Sequence, residues 1–196
     1  DNISSVLEDG DVEDLIGEAA IAFEDVLKSL LIDTKNDPNS MDTARRLAKM
    51  YYNEIMVGRY TPAPRVAAFP NVDKKTAYHG MITVRAELKS VCSHHHQIPK
   101  AEVIGLSKYA RIAQHCARRG TLQEELCRQI AEEIMEATGS EDVGVYIQAT
   151  HGCMENRGVC AHSSLTQTTV LHGQFYSAAI KEEFYNNIKL QTMGSQ

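Results

Sequence analysis

Residues 81–120 read "MITVRAELKSVCSHHHQIPKAEVIGLSKYARIAQHCARRG", and the way this stretch divides decides the fold. "MITVRAELKSVC" (81–92) alternates well enough for a strand. "SKYARIAQHCARRG" (107–120) changes to helical spacing, with Ser107 in the capping position. Between them Cys92, His94, His95 and His96 place one thiol and three imidazoles close together. Cys92 and His95 have the C-x₂-H separation, which lets two side chains converge on a borderline cation if a turn or bulge follows the cysteine. A pair is not a site, so a further ligand has to come from elsewhere in the chain.

Upstream, apolar residues at helical spacing (Leu15, Ala19, Ala22, Phe23, Val26, Leu27, Leu30) predict a helix over 12–32. A second helix fits 41–60, with a stripe through Ala44, Leu47, Met50, Tyr51, Ile55 and Met56. Three prolines in "TPAPRVAAFPNVDKKTAY" (61–78) make that segment the best linker. Downstream, "TLQEELCRQIAEEIMEATG" (121–139) reads as a helix opened by Thr121 and Glu124 in a capping-box pattern. "DVGVYIQATHGCM" and "SSLTQTTVLHGQFY" are β-rich, and "SAAIKEEFYNNIKL" is helical. Helices first, then a strand, two helices, two strands and a helix make an α+β class with an antiparallel sheet. The expected organisation is an N-terminal helical region over 1–60 and a catalytic domain over 61–196.

The composition of the 196 residues is ordinarily globular, 43% hydrophobic and 23% charged. No apolar run approaches the ~18 residues of a membrane span, and no basic-then-apolar leader opens the sequence, so neither membrane nor export is expected. Five cysteines without a dense framework read as reduced thiols of a cytosolic compartment. A net charge of −6 argues against a nucleic-acid partner. It leaves room for one phosphorylated small molecule held by a local basic cluster.

"ATHGCMENRGVC" (149–160) offers further ligands in His151, Cys153 and Cys160. A strand ending near Thr150 would bring Cys153 opposite Cys92 and His95, completing a Cys₂His set with a position left for water. The alternative takes Cys92, Cys127 and Cys153 as small buried hydrophobes. Lys108 and Arg111, three residues apart in the first turns of a helix, form an anion-binding pair, and Arg157 is a further candidate. Arg118 and Arg119 read as solvated charges. Glu124 is either a cap or a carboxylate that accepts two N–H donors from a guanine-like base.

Taken together, "CSHH" (92–95), "VIGLSKYARI" (103–112), "ARRGTLQEEL" (117–126), "THGCMENRGV" (150–159) and "SSLTQTT" (163–169) resemble the GTP cyclohydrolase I family. The resemblance covers most of the chain beyond its first few tens of residues, and several ordered motifs carry it. It implies that Cys92, His95 and Cys153 are zinc ligands, that His94 lies near the purine ring, and that His151 transfers protons. It further implies that Gln123 and Glu124 recognise guanine, that Ser107 binds substrate, and that Lys108, Arg111 and Arg157 hold the triphosphate, with Arg46 contributed by a neighbouring subunit. The implied activity turns GTP and water into 7,8-dihydroneopterin triphosphate and formate, on the way to tetrahydrofolate or other pterins. The implied architecture is a tunnelling fold, antiparallel sheet backed by helices, assembled as a decamer of two stacked pentamers.

Two departures from the family pattern stand out. Ser93 replaces the glutamate usual between the cysteine and the histidine pair, removing an acceptor that orients metal ligands. Only His96 and Gln97 separate the pair from "IP", where the family has a longer stretch, so either the site is shortened or a segment is missing between Gln97 and Ile98. These departures support the rival expectation of a guanine-nucleotide-binding homologue without turnover. A third expectation is an enzyme acting on a modified guanine nucleotide.

Overall fold

The computed structural model describes residues 2–70, 81–87, 92–97, 102–151, 160–161 and 164–193. Two compact units emerge, one of Asp1–Ala63 with Arg118–Gly120, the other of Pro64–Ala117 with Thr121–Gln196.

The first unit is helical. Helix α1 (Asp11–Ser29) begins after Gly10, whose φ of 105° is open to glycine, and carries Asp11, Glu13 and Asp14 in its first turn, where they complement the helix dipole. It buries Ile16 and Leu27 and ends before Ile32, because Leu31 turns into the left-handed region at φ 60°. The expected single helix over 41–60 is broken into α2 (Thr43–Met50), a π turn (Tyr51–Ile55) and α3 (Val57–Tyr60). Met56 N–H donates to Tyr51 O at 2.8 Å, the five-residue step of a π turn. The turn accompanies two ring stacks, Tyr51 on Phe23 at 5.5 Å and Tyr52 on Tyr60 at 4.6 Å. α2 packs against α1 through the buried Ala44 and Ala48, and Arg45 pairs with Glu13 at 2.6 Å.

The second unit holds the sheet. β1 (Ala68–Pro70) pairs antiparallel with β4 (Glu102–Ile104). A four-stranded antiparallel sheet runs in the order β2 (Ile82–Glu87), β3 (Cys92–Gln97), β5 (Val143–Ala149), β6 (Thr166–Leu171). The strand expected over 81–92 is therefore two: β2 stops at Glu87, and Cys92 begins β3, which returns along it. β3 lacks apolar alternation, and its strand state comes from being paired on both sides.

Helices α4 (Leu106–Ala117) and α5 (Gln123–Thr138) back one face of this sheet, and α6 (Ala178–Met193) follows a 3₁₀ turn at Gly173–Tyr176. β5 is buried on both faces. Val143, Val145 and Ile147 join Tyr109, Ile112, Ile130 and Ile134 in one core cluster, while Tyr146 joins Leu171, Phe175, Phe184 and Ile188 in another. Gly144 admits the two phenylalanines of the second cluster: a Cβ there would lie 2.8 Å from Phe184 and 2.9 Å from Phe175. No helix among the described residues is long and apolar enough to cross a membrane.

Candidate active site

Sheet register places the cysteine–histidine segment. Cys92 stands opposite Gln148, Ser93 opposite Ile147, His94 opposite Tyr146 and His95 opposite Val145. The first residues of β3 thus lie beside the last of β5, from which the chain leads through Thr150 to His151. Cys92 to Gln97 is paired without interruption on both flanks. Residues 92 and 95 are an odd number of positions apart, so in this unbroken pairing they belong to opposite faces of the sheet. The side chains of Cys92, His94 and His95, and the whole of Cys153 and Arg157, lie outside what is described. So does the junction from Gln97 to Ile98. Among the described residues no group of three or more His, Cys, Asp or Glu side chains could hold a metal ion.

Where β5 ends, a polar group is fully described. Gln123, 5% exposed, is the first residue of α5 and reaches under the sheet. Its Nε2 donates to Thr168 Oγ1 at 2.9 Å and lies 3.3 Å from Thr166 O and 3.4 Å from Ile147 O. Its Oε1 is 2.8 Å from Nε2 of the half-buried His151. α5 packs against β5 and β6, which sets Gln123 beside His151, two residues beyond the end of β5. Thr168 was assigned no role by sequence reasoning; the β alternation of "TQTTV" was its one available signal.

Glu124 follows Gln123 and is exposed. The capping box does not form: Leu122 is the N-cap, in extended backbone, and no side chain caps the helix. Glu124 is thereby left unused as a cap. Ser107 lies inside the first turn of α4, which begins at Leu106, and it is exposed like Arg111. Lys108 is half-buried, and its Nζ donates to Arg65 O at 3.1 Å. Arg46, in the helical unit, donates to Asn39 O, Met41 O and Thr43 Oγ1 at 3.1–3.3 Å.

Of the other cysteines, Cys116 and Cys127 are fully buried and Cys160 is exposed. Burial pushes the Cys127 thiol up to about 12, and its Sγ lies 3.5 Å from Val145 O. For Cys127 the small-hydrophobe reading holds.

A family profile described as GTP cyclohydrolase I matches residues 19–189. GTP cyclohydrolase 1 of Aeromonas salmonicida is 38% identical over 177 residues, covering 84% of this chain and 79% of its own. The protein of that name from Aeromonas hydrophila is 40% identical over 162 residues, covering 76% and 72%. That of Buchnera aphidicola is 38% identical over 173 residues, covering 82% and 78%.

Proposed function

The chain belongs to the GTP cyclohydrolase I family, and on that footing we propose that it converts GTP and water into 7,8-dihydroneopterin triphosphate and formate. The observation that carries the reading is the family match across residues 19–189, with His151 held at the end of β5 beside the start of β3. The mixed fold with its small antiparallel sheet is of the α+β class; a tunnelling fold, with a helical region over 1–60 and a catalytic domain over 61–196, belongs to the proposal. Assembly as two stacked pentamers in the cytoplasm, without nucleic acid or membrane, belongs to the same reading.

The implied metal is zinc, held by Cys92, His95 and Cys153. Thiolate and imidazole donors suit that ion, and the register sets Cys92 by the end of β5, five residues before Cys153 in the chain from Gln148. The unbroken pairing of β3 contains no bulge, so ligation by both Cys92 and His95 would require the strand to shift by one residue between them. Zinc bound there supplies a Lewis acid for the hydrolytic steps.

The chain's own residues bind, orient and move protons. Gln123 and Glu124 stand at the guanine end, where the exposed Glu124 carboxylate accepts hydrogen bonds from the base. Ser107, Lys108, Arg111 and Arg157 hold the triphosphate, Lys108 and Arg111 from the first two turns of α4, and Arg46 reaches it from a neighbouring subunit. His94 lies by the purine ring. His151 carries protons to and from the imidazole portion of the base as it opens at C8 and loses formate. Ribose opening, rearrangement and ring closure follow. Mass spectrometry of products from a panel of guanine nucleotides tests the substrate: a pterin triphosphate from GTP supports the reading, and turnover confined to a modified nucleotide overturns it.

A further inference from the structure

We propose that Gln123 is a positioning residue for His151: it holds the neutral ring as the Nε2–H tautomer, so that Nδ1 is the nitrogen that exchanges protons with substrate. The inference rests on the reading of His151 as the proton-transfer group.

Hydrogen-bond polarity dictates the assignment. Around Gln123 Nε2 stand the carbonyl oxygens of Thr166 and Ile147, at 3.3 and 3.4 Å, and the hydroxyl of Thr168 at 2.9 Å. A backbone carbonyl accepts and never donates. Turning the amide over would set its oxygen against two carbonyl oxygens with no hydrogen between them, at a site where Gln123 is only 5% exposed. The sheet therefore fixes the –NH₂ toward β5 and β6 and the Oε1 toward His151. Since an amide oxygen has no proton to give, the 2.8 Å contact requires a hydrogen on His151 Nε2. A neutral imidazole protonated at Nε2 presents a bare Nδ1.

This polarity also separates the roles of two neighbouring residues. The donors of Gln123 face carbonyl and hydroxyl oxygens of its own chain and its oxygen faces His151, so it has little left to offer a base. Glu124, one residue on and exposed, is left as the side chain of the pair for guanine recognition. Gln123 acts on the reaction through His151.

Two readouts test the proposal. In ¹⁵N-histidine-labelled enzyme at alkaline pH, with the His151 signals identified by their loss in His151→Gln, Nε2 is expected to bear the hydrogen and Nδ1 to be bare. A hydrogen on Nδ1 instead overturns the assignment. In kinetics, Gln123→Met is expected to lower kcat about 10- to 100-fold, as loss of an orienting partner does, with KM for GTP within about twofold. A loss carried by KM with kcat intact would make Gln123 a base-binding group and overturn the proposal. Should Gln123→Met not fold, the spectrum of the unaltered enzyme decides by itself. Full activity in His151→Gln overturns the underlying reading of His151, a failure separate from that of the tautomer.

Discussion

The buried carboxylate of Asp142 accepts two hydrogen bonds from Gln174, at 2.9 Å from its backbone N–H to Oδ1 and at 2.8 Å from its side-chain amide to Oδ2. The pair ties the start of β5 to the turn after β6. Gly173 beside it has φ 59°, and a Cβ there would fall 2.0 Å from Asp142 Oδ1. Asp142→Ala would remove the 2% exposed carboxylate that accepts both Gln174 bonds and is expected to cost about 1.5–3 kcal/mol, the range for hydrogen bonds to a charged group. Chemical denaturation measures it, and an unchanged midpoint would contradict the tie.

Thiol chemistry separates the cysteines. Iodoacetamide should label Cys160 in the folded protein and spare Cys116 and Cys127, as peptide mapping by mass spectrometry would report. Because burial raises the Cys127 thiol from 9.0 to about 12, its neutral form favours the folded state fully below pH 9. That contribution is lost as pH climbs from 9 towards 12, since the unfolded thiol ionises first. Tyr109, raised by burial from 10.0 to about 12, adds to the same alkaline loss. Stability measured over this range should fall, and Cys127→Ala should shallow the fall; an equally steep loss in that variant would contradict the assignment.

Much of the fold was legible because it rests on local patterns. The apolar spacing of α1 and α5 and the β-branched runs of β5 and β6 declare themselves within one segment. β3 did not, because "CSHHHQ" has no apolar face and becomes a strand through β2 and β5, partners that its own residues do not name. The π turn at Tyr51 was hidden likewise, its stacking partner Phe23 lying in another helix. His151, the proposed proton-transfer group, was singled out by its motif. The contact of Gln123 with Thr168 spans 45 positions and leaves no trace in either motif alone.

Metal ligation is tested ligand by ligand. Cys92→Ala, His95→Ala and Cys153→Ala should each drive bound zinc towards zero, while His151→Ala retains zinc and loses about 100-fold or more in rate. Metal analysis of the purified proteins checks both halves. Stoichiometric zinc in all three ligand variants would refute the assignment.

Phosphate recognition makes a different demand. Arg111→Ala should weaken GTP by about 1.5–3 kcal/mol while leaving guanosine nearly unaffected, because only charge-assisted contacts disappear. Lys108→Ala should do the same and also free the Arg65 carbonyl that Nζ holds. Calorimetric titration compares the two ligands, and equal weakening of both would point to damage to α4 instead.

Opening of the guanine ring with loss of C8 is the step that defines the proposed reaction. Zinc-loaded enzyme incubated with [8-¹³C]GTP and followed by ¹³C NMR tests it directly. The label is expected to leave the nucleotide as formate, one equivalent for each pterin triphosphate formed, and chelating the metal is expected to stop its release. Label that stays in GTP, with the enzyme fully metallated, assembled and shown to bind the nucleotide, would contradict it.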